Sequence, residues 1–248
     1  MSREWWSSGV FDLDMAELLF DAKRRGEAAA EVRDLVKLAG LKRGGAVLDA
    51  ACGTGRHSLE FARRGHPTTG VDVTEAYLRE ARRLAKAAKL GQAAFEKGEL
   101  RDLYRFQGSY DLVVNLFNSF GYYRSEKDNF EALGQMASAL RPGGSLVMEI
   151  NPLESIRANF QPYFWQATDA GYLMEKRIWT DGGRRLRNEW ILAIKGGFRE
   201  INWDLRLYSV DELKALFRRA GLKNIKAFRD FKGRPWKLGH RLIITGVK

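Results

Sequence analysis

The chain has 248 residues, 45% of them hydrophobic, and carries 42 Lys and Arg against 31 Asp and Glu, a formal net charge of +11. This length buries roughly 70–75% of the unfolded surface, enough for one large core. No stretch approaches the ~18–20 apolar residues of a membrane span, residues 1–9 lack the apolar centre of a signal peptide, and one cysteine, Cys52, leaves neither a disulfide nor a cysteine-built metal site.

His57, His66 and His240 are too few and too scattered for zinc, so no metal is expected. A cytoplasmic location follows from the same composition. The positive balance permits nucleic-acid binding. Yet its clusters, Lys23-Arg24-Arg25, Arg82-Arg83, Arg184-Arg185 and Arg218-Arg219, sit at helical spacing among apolar residues, as solvated helix faces do. Nucleic acid is therefore not the favoured partner.

In chain order, residues 1–40 read as an N-terminal helical extension. Met15–Arg25 and Ala28–Leu38 both show helical spacing, behind Trp5, Trp6 and Phe11. Residues 46–56, Ala-Val-Leu-Asp-Ala-Ala-Cys-Gly-Thr-Gly-Arg, then form an apolar strand ending in an acid, a turn through Gly53 and Gly55, and the start of an amphipathic helix. Such a turn brings backbone close to a ligand and offers free helix N–H groups. A dinucleotide fingerprint would place Gly or Ala at position 58, which is Ser, and Asp49 would repel a pyrophosphate. An acid there suits an ammonium or a sulfonium, and S-adenosylmethionine has both. Alone, a Gly-x-Gly pair is also what an ordinary strand-to-helix turn looks like.

Further strands follow at 67–71, 93–97, 110–116 and 145–150, alternating with helices at 74–89 and 128–140. Asp72 stands about 20 residues past the glycines, the offset at which a carboxylate meets ribose hydroxyls. Leu140-Arg141-Pro142-Gly143-Gly144 reads as a helix stop and tight turn. Alternating short apolar strands and helices imply a parallel sheet covered on both faces.

From about Leu41 to Ile150 these ordered motifs resemble the class I, Rossmann-like S-adenosylmethionine-dependent methyltransferases, in particular small bacterial and archaeal members with a Cys-Gly-Thr-Gly-Arg-His-Ser turn. The resemblance implies a doubly wound, mostly parallel seven-stranded sheet and S-adenosylmethionine as cofactor. It implies that Asp49, Ala51, Gly53 and Gly55 surround the methionyl portion and that Asp72 binds the ribose. Val73 and Leu100 would sandwich the adenine, with Glu99, where the family usually has Asp, meeting its amine. Asn115 and Leu116 would border the methyl group, and residues 1–40 would lie over the site as a lid, the equal alternative being that their aromatics only cap the core. The Asn/Asp-Pro-Pro-aromatic signature of adenine N6 methyltransferases is missing; Asn115-Leu116-Phe117-Asn118 occupies its place.

After the core at 41–150, residues 151–208 change character. Segments 173–180, 184–195 and 199–208 read as three antiparallel strands joined at Asp181-Gly182-Gly183 and Gly196-Gly197. Alternation puts Leu186, Trp190, Leu192 and Ile194 on one face of the middle strand. In the third strand Ile201, Trp203, Leu205 and Leu207 share a face, opposite Asn202, Asp204, Arg206 and Tyr208. This inserted sheet is expected to cover the substrate, or else to present its apolar face to a second copy. Ser209-Val210-Asp211-Glu212 is a capping box opening a helix that stops at Gly221, and strands at 222–231 and 241–247 complete the core over 209–248.

The function so implied is methyl transfer by in-line displacement to a small-molecule acceptor. An RNA or protein methyltransferase, or a cofactor-binding scaffold without turnover, stands behind it. His57, Tyr122, Tyr123, Glu149, Asn151, Asp204, Arg206, Tyr208 and Arg241 are candidates near the acceptor. None carries a catalytic assignment.

Overall fold

The computed structural model describes residues 15–16, 22–168, 171–194 and 196–248. The expectations for Trp5, Trp6, Phe11 and most of the first N-terminal helix lie outside the described residues. The elements are α1 (Ala22–Ala39), β1 (Val47–Ala50), α2 (Arg56–Arg63), β2 (Thr68–Asp72), α3 (Glu75–Ala87), β3 (Ala93–Lys97), β4 (Tyr110–Asn115), α4 (Glu126–Ala139) and β5 (Leu140–Ile150). They continue with α5 (Leu153–Ala158), β6 (Tyr163–Thr168), β7 (Gly171–Thr180), β8 (Arg185–Ile194), β9 (Gly197–Arg206), α6 (Val210–Arg219), β10 (Lys223–Phe228) and β11 (Leu242–Val247). No helix among the described residues is long and apolar enough to cross a membrane.

One seven-stranded sheet has the order β10-β11-β5-β4-β1-β2-β3. Its strands run parallel except β11, which is antiparallel to both β5 and β10. All four residues of β1 are buried, as are Leu112, Val113 and Val114 of β4, because helices cover both faces of these central strands. Val47 pairs with Leu112 and Asp49 with Val114, so the strand order reverses between β1 and β4. In such sheets the ligand crevice opens beyond the strand C-termini at this point.

Helix ends follow the sequence signals where those signals were complete. Ser209 Oγ accepts the Glu212 N–H at 3.0 Å and Glu212 Oε2 accepts the Ser209 N–H at 2.7 Å, closing the capping box of α6. Ser125 caps α4 in one direction, accepting from Asp128 N at 3.0 Å.

Three expectations are corrected. The stretch from Ala22 to Ala39 is one helix running through Gly26, not two helices meeting there. A mid-helix glycine costs only about 1 kcal/mol against alanine, and the fully buried Val32 and Leu35 anchor the helix on the core. Strand β5 starts at Leu140, directly after α4, and not at 145; its register on β4 passes from Leu140 to Ser145, so Arg141–Gly144 bulge out of the ladder as the expected turn. The inserted sheet has four strands, ordered β6-β7-β8-β9, not three, and the short helix α5 precedes it.

The insert is clamped to the core at one end. Arg206 N donates to Gly121 O at 2.9 Å, Leu153 N to Tyr208 O at 2.9 Å, and Arg185 Nη1 to Tyr123 O at 3.2 Å. Gly121 is required there: its φ is +101° and a Cβ would come within 2.3 Å of Arg206 O. Buried Arg206 reaches Glu126 Oε1 at 2.5 Å and Glu212 Oε1 at 2.8 Å, binding β9 to α4 and α6.

Candidate functional site

One cavity of about 410 Å³ runs from the β1 turn to the inner face of the inserted sheet. The core contributes Ala51, Gly53, Asp72, Val73, Leu100 and Phe117–Tyr123 to its wall. The insert contributes Leu173, Glu175, Arg177, Asn188, Trp190 and Trp203, with others beside them. A side recess of about 40 Å³ is lined by Asp49, Arg56, His57 and Leu116, and shares Ala51, Gly53, Phe117 and Ser119 with the main cavity.

The turn after β1 is built around Asp72. Its Oδ2 accepts Gly53 N–H and its Oδ1 accepts Thr74 N–H, each at 2.9 Å. The Thr74 hydroxyl bonds it as well, and since a carboxylate has about four acceptor positions, one stays available. Asp49 is buried and accepts the Ser58 hydroxyl at 2.5 Å. Burial pushes both carboxyls above their ordinary range, and the charge of Asp49 adds to the effect at Asp72. Two desolvated carboxylates beside one cavity favour a cationic ligand.

Three non-glycine residues at this switch point adopt left-handed backbone: Ala51 (φ 68°), Phe117 (φ 60°) and Asn118 (φ 62°). Such strain persists where surroundings over-determine it, and it clusters at ligand sites. Here Phe117 N donates to Glu149 Oε2 at 2.9 Å, Asn118 N to Glu149 O at 3.0 Å, and Asn151 N to Asn118 Oδ1 at 2.9 Å. The Phe117 ring lies under the guanidinium carbons of Arg24, Arg241 and Arg56, at 4.9, 5.2 and 5.5 Å from its centroid. Arg241 also reaches Glu149 Oε1 at 2.8 Å, and Arg56 Nη1 and His57 Nε2 meet Glu31 Oε2 at 2.9 and 2.8 Å. Burial opposes the charge on Glu31, but His57 and Arg56 outweigh it and hold its carboxyl below the ordinary range.

The structure brings Ala51, Gly53, Asp72, Val73 and Leu100 together on the cavity wall, with Asp49 and Leu116 in the recess. Three expected ligand residues stand elsewhere. Glu99 lies outside the wall and takes Arg101 Nη2 at 3.2 Å. Asn115 is fully buried behind it, donating to Ala50 O at 2.8 Å with Oδ1 unpartnered. Gly55 serves packing: with φ +78°, a Cβ there would meet Phe95 Cε1 at 2.7 Å.

Among the acceptor-side candidates, Tyr122, Tyr123, Asn151 and Arg241 line the cavity. Asp204 and Arg206 of β9 and Tyr208 just after it do not, because they turn toward Arg185, Glu126 and Glu212. Glu149 acts as the brace of Phe117, and His57 as a partner of Glu31. Burial raises Tyr122 and Tyr123, so both remain neutral phenols at physiological pH. Burial, with Asp49 and Asp72 nearby, pushes the Cys52 thiol up, which makes it a packing residue and not a nucleophile.

Sequence reasoning passed over the polar groups on the insert's inner face. Glu175 is buried; its Oε1 accepts Trp190 Nε1–H at 2.9 Å and its Oε2 pairs with Arg177. Asn188 stands opposite Arg177 across the β7–β8 ladder, 1% exposed. Strand alternation was the available signal: Glu175 shares a face with Leu173, and Asn188 with Leu186 and Trp190.

A doubly wound sheet with its ligand cavity at the β1/β4 crevice is a Rossmann-like, nucleoside-binding architecture. Comparison with known proteins narrows it. Residues 47–144 match the family model described as a methyltransferase domain. The dTDP-3-amino-3,4,6-trideoxy-alpha-D-glucopyranose N,N-dimethyltransferase of Streptomyces venezuelae is 31% identical over 144 residues, 56% of this chain and 58% of that one, so the match spans little more than half of that relative. The CcbJ methyltransferase of Streptomyces caelestis shares the fold with a TM-score of 0.80 at 20% identity, over 94% of this chain and 95% of that one. The SAM-bound amino pentose methyltransferase CalS10 of Micromonospora echinaspora does so with a TM-score of 0.66 at 23% identity, over 96% and 98%. Residues 47–144 therefore carry a methyltransferase domain, and the chain as a whole has the fold of class I S-adenosylmethionine-dependent methyltransferases.

Proposed function

We propose that this chain transfers the methyl group of S-adenosylmethionine to the nitrogen of a small-molecule amine held under the inserted sheet. The observation that carries the reading is the single cavity joining Asp72, Val73 and Leu100 to Tyr122, Glu175, Trp190 and Trp203. Its volume lies in the range of small-ligand sites, ~300–1,000 Å³, and its roof leaves an acceptor of small size. The donor set suits this cofactor: Asp72 for the ribose hydroxyls, Val73 and Leu100 for the adenine faces, and the two raised carboxyls for a cation. The named activity of the Streptomyces venezuelae relative supports an amine as acceptor.

The sulfonium supplies an already electrophilic methyl group. What this chain adds is position and exclusion of water, worth roughly 7–11 kcal/mol of barrier. The attacking amine must be neutral, and positive charge grows on its nitrogen as the bond forms. Glu175, fixed by Trp190 and Arg177, is an acceptor for the amine N–H and a counter-charge for that nitrogen.

The test is transfer of labelled methyl to a panel of nucleotide-linked amino sugars, simple amines, alcohols and acids, beside calorimetric titration with S-adenosylhomocysteine. The expected result is micromolar product binding, label on amines alone, and a loss of at least tenfold in kcat/KM for Glu175→Gln with product affinity intact. Label on alcohols alone would overturn the amine reading, and absence of product binding would overturn the whole proposal.

A further inference from the structure

Both faces of the inserted sheet are apolar, and only one of them lines the cavity. The opposite face exposes Tyr163 (71%), Trp165 (66%), Tyr172 (54%), Met174 (38%), Ile191 (36%) and Phe198 (77%). Strand register makes them contiguous. Trp165 pairs with Met174 and Met174 with Ile191. On one side of that row Tyr172 pairs with Ala193 and Ala193 with Phe198. Same-face partners of this kind stand about 5 Å apart. The Trp165 and Tyr172 rings are 6.4 Å apart between centroids.

Taking ~150–250 Å² per aromatic side chain, these exposures sum to about 650 Å². That exceeds the ~300–600 Å² of the largest patch on an ordinary monomer. It approaches the ~800 Å² each partner contributes to a stable interface. The composition, aromatic residues and methionine, is that of an interface centre.

The charges beside the patch decide the occupant. Beside the patch Lys176, Arg187, Glu189 and Glu200 share this face, two cations and two anions, with Lys176 Nζ 3.0 Å from Glu189 Oε2; toward the clamp Arg185 is paired with Asp204, and Arg206 with Glu126 and Glu212. In a chain of net charge +11 this face is neutral. A nucleic acid or an anionic bilayer would require a cationic surround. A second copy of this chain, related by a two-fold axis, presents the same two cations and two anions back to itself. We propose that this face is the homodimer interface and that two inserted sheets pack outer face to outer face. The sequence posed cover and interface as alternatives for one apolar face; the sheet has two such faces, one for each role.

Sedimentation velocity at micromolar concentration tests the proposal, and the expected wild-type mass is twice that of the chain. Trp165→Glu with Phe198→Glu is expected to halve that mass while binding S-adenosylhomocysteine as the wild type does. Tyr104→Glu, an exposed aromatic elsewhere, is expected to leave the dimer intact. A monomeric wild type overturns the proposal whatever the variants do, and a double variant that stays dimeric overturns it too. So does a monomeric wild type that co-sediments with phosphatidylcholine–phosphatidylglycerol vesicles, which would assign the face to lipid.

Discussion

Asp72→Ala is the most informative single perturbation, because this side chain holds its own turn as well as facing the cavity. Removing the carboxylate deletes the acceptor of both Gly53 N–H and Thr74 N–H, each now bonded at 2.9 Å. Thr74 is half-buried and its N–H can turn to water, while Gly53 is buried and its N–H is left orphaned, a stability cost of about 1–3 kcal/mol in all. For a chain of this size that lowers Tm by roughly 2–12 °C. Loss of a charged hydrogen-bond acceptor for the ribose adds about 1.5–3 kcal/mol to cofactor binding, or roughly 10- to 150-fold in Kd. Calorimetry with S-adenosylhomocysteine measures the second effect and thermal unfolding the first. A Kd within twofold of wild type would refute the ribose assignment. An unchanged Tm with a weakened Kd would refute the argument that Asp72 supports the turn.

Gly55→Ala is expected to unfold the chain more readily without touching the ligand. It sets an alanine at φ +78° with its Cβ 2.7 Å from Phe95. Left-handed strain and overpacking together cost about 2–4 kcal/mol, read as a Tm fall of roughly 4–16 °C; an unchanged Tm would show that α2 and Phe95 yield freely. For pH, burial raises the folded-state pKa of Asp49 and Asp72. The folded chain therefore takes up these protons before the unfolded chain does as pH falls, and neither group drives acid unfolding. Binding of the cationic cofactor favours their ionised forms, so S-adenosylmethionine affinity is expected to decline already at pH values above the ordinary carboxylate range, with protons released on binding. Titration in two buffers of different ionisation enthalpy measures that release. Affinity that stays flat down to the acid unfolding transition would contradict it.

Part of the cavity wall on the core side was legible, though not the places of Glu99, Asn115 and Gly55, because that part is carried by main chain and short-range spacing. The turn at 46–56 announces itself by glycines behind a strand, and Asp72 by its distance from them. The acceptor half was not, because strand register decides it. Asp204, Arg206 and Glu175 are equally polar residues in alternating strands, and a one-residue change of face separates a cavity wall from an ion pair. Strand β6 was missed for a related reason. Tyr-Phe-Trp-Gln-Ala-Thr is apolar on both faces, so it lacks the alternation that marks a half-buried strand. The strained Phe117–Asn118 turn has no sequence signature, since glycine is what its backbone angles would lead one to expect.

The location of the exposed aromatics on the insert follows from how the sheet is held. Its contacts with the core gather at one end of the ladder: Arg206 with Gly121, Arg185 with Tyr123, and Arg157 Nη2 with Gly183 O at 3.1 Å. The other end, where Trp165, Tyr172, Ile191 and Phe198 lie, projects roughly six residues beyond that clamp, about 20 Å at the rise of a strand. An antiparallel ribbon gains stability only from what covers its faces. Near the far end the inner face has Met15, buried against Leu173, Leu192 and Ile201, while the outer face is bare in a single copy. Trp190-Ile191-Leu192-Ala193-Ile194 is five consecutive apolar residues, the pattern of a strand buried on both sides. Covering the outer face with a second chain would hold the far end of β7 and β8 in place. Glu175, Asn188 and Trp190 ride on those same two strands, so the proposed interface would also steady the proposed acceptor wall.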